Sequence, residues 1–142
     1  MTIIETVRNY VENLDCMNIF ENAVNVNFLN SETDSFSIEE IPTKPIVKKY
    51  IDGSSKRQFE FAFCSREPYG LEILQNIDNS NFYEEFSNEI ERKNSEGSLP
   101  LMSNNLEPIE LEITSSAYVV SVTEDTGMYQ VNLRLKYIKK EG

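Results

Sequence analysis

Apolar residues at the start of the chain recur every three or four positions, which is the spacing of one face of an α-helix. The pattern predicts an amphipathic helix over residues 2–14. Thr2, with Glu5 three positions later, matches a capping box, so we expect the helix to begin there. Its apolar stripe consists of Ile3, Ile4, Val7, Tyr10, Val11 and Leu14.

From Val24 the apolar period changes to two, which is typical of half-buried strands. Strands are predicted at Val24–Phe28 and Phe36–Ile41, with a polar turn at Asn30–Ser35 that would make the pair a hairpin. The clearest strand lies at residues 58–64 (QFEFAFC). Its phenylalanines share one face, so we expect it at the centre of the sheet. Those residues are Phe59, Phe61 and Phe63.

The middle of the chain contains turn-forming residues and, between them, apolar residues at helical spacing. Ser65–Gly70 contains Pro68 and is predicted to turn. A short helix follows, and Asn79–Asn81 is expected to interrupt it and to cap a second helix with help from Glu84. Gly97 is the natural end of that second helix. The apolar positions are Leu71, Ile73, Leu74 and Ile77 in the first helix and Phe82, Phe86 and Ile90 in the second.

The last third of the chain changes parity within one apolar run. Ile109, Leu111 and Ile113 point one way, whereas Tyr118, Val120 and Val122 have the opposite parity. A strand cannot exchange its faces without an extra residue, so a β-bulge is predicted at Ser115–Ser116. A turn at Glu124–Gly127 and a last strand at Tyr129–Tyr137 complete the pattern.

The predicted order is α-β-β-β-α-α-β-β, and the predicted class is α+β. We expect a two-layer sandwich of about five mostly antiparallel strands, with the helices on one face. The 142 residues fit one domain over 1–142. The sequence contains no internal repeat or low-complexity tract.

Charge and residue usage exclude several classes of function. Lys and Arg number 13 against 24 Asp and Glu, a formal net charge of −11, so the average surface is unsuited to duplex DNA. The chain has no histidine, which rules out Ser-His-Asp triads, Cys-His pairs and histidine-bound zinc. Cys16 and Cys64 are interpreted as small apolar residues without a disulfide. We expect a soluble protein made in a reducing cytoplasm, with no signal peptide and no membrane span.

Carboxylates are the remaining candidates for catalysis or metal binding. Glu39–Glu40, Glu84–Glu85 and the pair Glu110 and Glu112 fall on polar faces, where solvated charge is the simpler interpretation. Glu124–Gly127 is better interpreted as a turn than as a calcium loop. No glycine-rich phosphate-binding motif occurs. The sequence therefore predicts no catalytic, cofactor-binding or metal-binding residue.

Basic residues concentrate in one segment, residues 42–57 (PTKPIVKKYIDGSSKR). Pro42 and Pro45 break the strand pattern, and Asp52-Gly53 is a tight-turn signal, so a projecting hairpin arm is predicted. The lysines could simply protect a sheet edge from aggregation. Alternatively, the arm could contact an acidic neighbour, including a second copy in a head-to-tail ring. Nucleic-acid contact is less favoured because Tyr50 is the only interleaved aromatic residue.

The segment from Lys48 to Phe86 resembles proteins of tailed phages and prophages of Gram-positive bacteria, the minor capsid protein or tail terminator family. The opening MTIIETVRNYVENL and the closing YQVNLRLKY are similar too, so the resemblance spans nearly the whole chain. Its specificity lies in the ordered combination of short pieces. These are Lys49-Tyr50, Asp52-Gly53-Ser54, Gln58-Phe59 with Phe61 and Phe63, Ser65-Arg66-Glu67, Tyr69-Gly70, Asn76-Ile77 and Phe82-Tyr83-Glu84.

The resemblance implies a non-enzymatic virion protein without a cofactor, assembled in the host bacterial cytoplasm. Such subunits form a ring, typically a hexamer, that caps the head-proximal end of the tail tube and offers a docking surface for the head. Its partners are further copies of itself, the tail tube protein, the head–tail connector or neck proteins and, in contractile tails, the sheath. DNA passes through the lumen without specific binding.

Together the basic arm and the resemblance predict an interface with another subunit or with the tube. Its residues are Lys44, Lys48, Lys49, Tyr50, Asp52, Lys56 and Arg57. Two other functions stay open at this point. One is a head–tail joining or tail-completion protein, and the other is a small-ligand-binding module or carboxylate-dependent enzyme.

Overall fold

The computed structural model describes residues 2–17, 24–29, 35–70 and 73–140. Within these residues two α-helices pack on a six-stranded, mostly antiparallel sheet, which confirms the predicted α+β class. The strand count is six rather than about five because the basic arm contributes a strand of its own. In chain order the elements are α1 (Ile3–Glu12), a 3₁₀ turn (Asp15–Met17), β1 (Val24–Val26), β2 (Ser35–Ile41), β3 (Ile46–Lys49), β4 (Ser55–Pro68), α2 (Ile73–Glu96), β5 (Leu106–Val122) and β6 (Thr126–Lys139).

Strand β4 lies at the centre of the sheet, as its three phenylalanines predict. The sheet order is β1-β2-β4-β6-β5, and β3 also pairs with β4. β4 pairs with β6 along its full 14 residues. On its other side β4 pairs with β3 near its start and with β2 further along. The single strand predicted at residues 58–64 is therefore the middle of a longer one.

The core lies between the helices and one face of the sheet. Phe63 is fully buried, and its ring stacks on Phe36 at 5.7 Å and on Phe86 of α2 at 4.7 Å between centroids. Thr2 caps α1 as predicted, since its Oγ1 accepts a hydrogen bond from the Glu5 amide at 3.2 Å. The fully buried side chains include Val7, Val11, Phe36, Ile38, Phe61, Phe63, Phe86, Leu111, Val131, Leu133 and Leu135.

The predicted hairpin of the first two strands is wrong, because β1 and β2 are parallel. Asn27 ends β1 in a left-handed conformation (φ 54°), its amide donates to the Ile38 carbonyl at 2.8 Å, and Phe28 is exposed. Alternation of apolar residues identifies a strand but carries no information on its direction. Residues 30–34 of the predicted turn lie outside the described residues.

The turn predicted at Ser65–Gly70 is also wrong, because β4 continues to Pro68. Ser65 is fully buried, and its hydroxyl forms a hydrogen bond with the Tyr83 hydroxyl of α2. Pro68 is the last residue of the strand, opposite Thr126, where its missing N–H interrupts no interior pairing.

The two helices predicted around Asn79 form one helix, α2. Asn79 is buried rather than capping, and its Nδ2 donates to the Pro68 carbonyl at 2.7 Å and to the Tyr129 hydroxyl at 3.2 Å. These tertiary contacts satisfy the amide that would otherwise compete with the helix backbone. Leu71 lies outside the described residues. Gly97 ends the helix as predicted (φ 76°), with the Ser98 amide donating to the Lys93 carbonyl at 2.8 Å.

The β-bulge predicted at Ser115–Ser116 is confirmed. The register between β5 and β6 shifts between Ile113 and Ser115, and again between Ser115 and Tyr118. The second shift places two β5 residues, Ser116 and Ala117, against one residue of β6. Beyond the bulge β5 exposes apolar side chains, which are Tyr118, Val119, Val120 and Val122.

Glu89 is a buried carboxylate that ties α2 to the 3₁₀ turn. It accepts hydrogen bonds from the amides of Asp15 at 2.7 Å and Cys16 at 2.9 Å. Burial raises the pKa of this carboxyl group, but hydrogen bonds from the two amides and the Cys16 thiol, together with the Lys93 charge, outweigh burial and lower the pKa below its ordinary value. The ionised form is therefore the one that stabilises the fold.

Replacing Glu89 with Gln is expected to lower the free energy of unfolding by about 2 kcal/mol at neutral pH, because a charged acceptor is lost. A lowered folded-state pKa means that this stabilisation is complete above the unfolded-state pKa and is lost as the pH falls through the folded-state value. The difference between wild type and variant in urea unfolding should therefore be constant above about pH 5 and shrink in more acidic buffer. Glu91→Gln, at an exposed position of the same helix, is the control. An equal loss in both variants would contradict this role.

Candidate assembly interface

Residues 42–57, here called the arm, form a hairpin of β3 and the first residues of β4. The Tyr50 amide donates to the Ser54 carbonyl at 2.9 Å, and Gly53 adopts φ 91° in the turn. Asp52 Oδ1 accepts from the Ser54 hydroxyl at 2.6 Å and from its amide at 2.9 Å, and these hydrogen bonds lower the pKa of the carboxyl group. The Asp52-Gly53 turn thus lies where the sequence predicts it, with the Asp52 carboxylate held inside the turn.

The base of the arm is held where the prolines interrupt the strand. Gln58 bridges the gap between β2 and β3: its amide donates to the Pro45 carbonyl at 2.9 Å, and its Nε2 donates to the Lys44 carbonyl at 2.8 Å. The same Nε2 lies 3.4 Å from the Thr43 hydroxyl. These contacts replace ladder bonds that Pro42 and Pro45 cannot make, so the arm is anchored on both sides of its base.

The tip of the arm is exposed without interruption. Every residue from Val47 to Gly53 is exposed, and the Ile51 side chain is fully exposed at the turn. Scattered apolar side chains on a surface are ordinary. Ile51 differs from such scattered side chains because it lies at the apex of a hairpin with several basic residues. The tip therefore offers a partner both apolar contact area and positive charge.

The basic residues of the arm lack acidic partners. In the described part of the chain, no salt bridge involves Lys44, Lys48, Lys49, Lys56 or Arg57. Lys48 lies directly opposite Lys56 on one face of the hairpin, an arrangement of like charges that destabilises a strand pair. Arg57 points to the other face, where its Nε donates to the Ser55 hydroxyl at 3.0 Å. The structure thus keeps an unfavourable charge cluster at an exposed site.

Aromatic contact adds to the arm at one position. Lys48 Nζ lies 5.5 Å from the centroid of the Tyr50 ring, within the range of a cation–π contact. Tyr50 is itself 38% exposed, so the ring is available to a second molecule as well.

The structure adds basic residues that the sequence analysis did not assign to the site. Lys139 lies opposite Ser55, and Lys140 follows it at the end of β6, so seven of the 13 basic residues occupy one end of the sheet. Lys140 also approaches Glu107 at 3.6 Å. The two consecutive lysines at the end of the last strand are visible in the sequence as a second basic cluster. Only the pairing of β6 with β4 shows that this cluster lies beside the arm.

Charges on the open face of the sheet, opposite the helices, are paired instead. Arg134 of β6 contacts Glu60 of β4 at 2.6 Å and Glu112 of β5 at 3.1 Å. Lys136 contacts Glu112 at 3.3 Å and Glu110 at 3.9 Å. This alternating ladder neutralises most of its own charge, whereas the five basic residues of the arm form no salt bridge with any described residue.

The carboxylate pairs considered for catalysis are dispersed. Glu39 and Glu40 lie on opposite faces of β2, and Glu84 and Glu85 are exposed on α2. The third pair, on β5, belongs to the salt-bridge ladder. No group of three or more histidine, cysteine or acidic residues within 2–17, 24–29, 35–70 and 73–140 is placed to hold a metal ion.

Both cysteines are free thiols with weak acidity. Burial, followed by the Glu89 charge, raises the pKa of Cys16 to about 12. Burial also raises the pKa of Cys64, which is 1% exposed. Raised thiol pKa values disfavour the nucleophilic thiolate.

Comparison with known proteins adds no family assignment. No protein-family model matches the sequence, and no curated protein matches it at a significant level. None of the helices in the described residues is long and apolar enough to cross a membrane.

Proposed function

We propose that this chain is a structural virion protein that assembles into a ring, typically a hexamer, at the head-proximal end of a phage tail tube. The ring ends tail polymerisation and provides the docking surface for the head. Its partners are further copies of itself, the tube protein and the neck proteins. No catalytic step is part of this function.

The observation that carries the proposal is the arm. It is a hairpin whose tip is exposed, whose five basic side chains have no salt-bridge partner in the described residues, and whose apex is a fully exposed isoleucine. The facing charges of Lys48 and Lys56 disfavour the free hairpin and Ile51 gains nothing from solvent, whereas acidic and apolar surfaces of a neighbour can cover both in a complex. Recruitment into an assembly accounts for the arm better than catalysis or ligand binding does.

The acidic balance of the chain supports the same function. A net charge of −11 per subunit around a lumen would repel the phosphate backbone of DNA, so DNA could pass through the lumen without being bound. The same charge opposes association of identical subunits. The basic arm offsets this repulsion where two subunits meet, which makes assembly dependent on a few defined contacts.

The sequence resemblance and the fold support the proposal together. The resemblance implies a small α+β subunit, and the chain has that class of fold. The resemblance also includes both ends of the chain, so it extends over the whole α+β sandwich and is not confined to the arm. Tail termination and head–tail joining lead to different tail lengths when the protein is absent, and the experiment uses that difference.

The experiment is to measure tail length by electron microscopy in particles assembled without this protein. We expect overlong tails of variable length without heads, and we expect the wild-type protein supplied in trans to restore both length and head attachment. Tails of normal length would contradict termination. If such tails also lack heads, a head–tail joining function replaces the proposal, and normal heads on normal tails would exclude both.

A further inference from the structure

We propose that the tip of the arm docks into a groove between α2 and β5 of the neighbouring copy, here called the α2–β5 groove. The inference deepens the proposed function, because it assigns both halves of the subunit contact in the ring. The occupant is a second copy of this chain, and the docking element is Ile51 with the flanking Lys48, Lys49 and Tyr50.

The α2–β5 groove has the size and composition to receive an exposed apolar side chain. It is an open groove of about 260 Å³, in which Tyr83, Ala117 and Tyr129 supply the apolar lining and Glu84, Asn88 and three serines supply the polar lining. The β-bulge forms one wall, because it displaces Ser116 and Ala117 from the regular β5–β6 ladder. Two exposed valines of β5 face the same side of the sheet as the groove and extend its apolar surface: Val119, opposite Tyr129, and Val122, opposite Gly127.

Charge favours this groove over two others on the described surface. Glu84 stands on its rim and no cationic residue lines it; Glu91, two turns later on α2, lies on the same side of the helix and is exposed. A groove of about 350 Å³ beside α1 contains Lys93, which would repel the arm. A third groove, lined by Glu40, Pro42 and Pro45, lies at the base of the arm itself. The basic tip therefore has its best complement between α2 and β5.

The arm cannot reach the α2–β5 groove of its own subunit. The arm extends from Ser55, whereas the groove lies near Ser65, which pairs with Tyr129 on the groove floor. These positions are ten residues apart on the same strand, and at about 3.3 Å per residue they are separated by roughly 33 Å. The turn at residues 50–54 extends still further from the groove. The contact must therefore be made between subunits.

An arm-to-groove contact that is not returned by the same neighbour is heterologous. Such contacts repeat from one copy to the next and close into a ring when the rotation allows it. A symmetric pairing of two arm tips would bring the two lysine clusters together and is disfavoured by like charge. The separation of arm and groove along β4 leaves room for each subunit to contact two different neighbours, as a ring requires.

Cysteine cross-linking between two single variants tests the contact. Ile51→Cys and Ser116→Cys are both at exposed positions, and the purified proteins are mixed at high concentration and oxidised mildly. We expect a covalent dimer in the mixture at a yield at least tenfold above that of Ile51→Cys mixed with Leu101→Cys. Leu101 is 92% exposed beside the α1 groove and provides the matched acceptor control. Wild-type protein reports any background from Cys16 and Cys64.

The outcomes separate this contact from its alternatives. Preferential linkage to Leu101→Cys would place the tip in the α1 groove, and linkage of Ile51→Cys to itself would indicate a symmetric dimer; either result overturns the proposal. Absence of the Ile51–Ser116 link in the purified protein and in assembled tails overturns it as well. Cross-linking of purified protein does not require a tail. If the Ile51–Ser116 link forms but particles that lack the protein have tails of normal length, the subunit contact stands and tail termination is rejected.

A second variant pair measures the contribution of the apolar tip. Ile51→Asp is expected to raise the dissociation constant for self-association, or the concentration needed for incorporation into tails, at least tenfold. Leu101→Asp removes a similarly exposed apolar side chain at another site and should leave both quantities unchanged. Equal effects of the two substitutions would contradict a specific role for the tip.

Discussion

The Lys49→Glu, Arg57→Glu variant is expected to keep its fold as an isolated subunit but to fail to assemble, which leaves overlong tails without heads. Lys49 is exposed, Arg57 contacts the Ser55 hydroxyl, and neither belongs to a salt bridge in the described residues, so little folding free energy depends on their charge. At an acidic neighbour, each reversal turns attraction into repulsion. Juxtaposed like charges cost several kcal/mol at an interface, and a ring repeats that cost at every contact.

Two measurements decide this prediction. Urea unfolding of the purified variant should lie within about 0.5 kcal/mol of the wild type, as for surface substitutions in general. Electron microscopy of particles should show no functional ring, with the same tail defect as in the absence of the protein. Arg92→Glu, Lys93→Glu reverses the same number of charges on α2, away from the arm, and should support assembly. Arg92 contacts Asp15 at 3.6 Å and Glu96 at 3.7 Å, so urea unfolding of this control is measured beside that of the arm variant. Normal particles with the arm variant would show that these two residues lie outside every essential contact.

Replacing Phe63 with Ala is expected to cost about 3–5 kcal/mol of unfolding free energy. Phe63 is fully buried, and its ring packs between Phe36 of β2 and Phe86 of α2, so the substitution opens a cavity where the two layers meet. Proteins of this size have a total stability of roughly 5–15 kcal/mol, so the loss is a large share. The melting temperature should fall by roughly 10–17 °C.

Phe28→Ala provides a control of identical chemistry. The Phe28 side chain is 63% exposed, and its removal should change stability by less than about 0.5 kcal/mol. Calorimetry or urea unfolding of both variants measures the difference. Equal losses for Phe28 and Phe63 would mean that the centre of β4 does not form the core described here.

The alternation around Phe63 explains why the centre of the fold was predictable from sequence. Period-two burial identifies a strand and its inner face, and three aromatic residues on that face require a covering layer. The apolar positions of β5 change from odd to even numbers around Ser115. One extra residue in the strand, a β-bulge, is the simplest geometry that produces this change. Such features depend on local geometry, and local geometry is what a single sequence encodes most directly.

The features that were missed depend on partners distant in sequence. Asn79 resembles a cap until Pro68 and Tyr129 are known to lie beside it, and Val24–Val26 carries no sign of parallel pairing. At the candidate site, the clustered lysines and the Asp52-Gly53 turn were visible in the sequence. The addition of Lys139 requires the register of β6, and the exposure of Ile51 requires knowing that nothing in the described structure folds back over the turn.

The uninterrupted length of β4 has a mechanical consequence for any partner held by the arm. β4 is one strand from the arm to the core, and β6 is paired with it at every position. Its hydrogen bonds lie across the strand direction, so a pull along β4 loads them together in shear. A strand end pulled sideways would instead unzip one bond at a time. The arm therefore transmits tension directly to the centre of the sheet. A pull along β4 extends the arm only when the hydrogen bonds between β4 and its neighbouring strands break together.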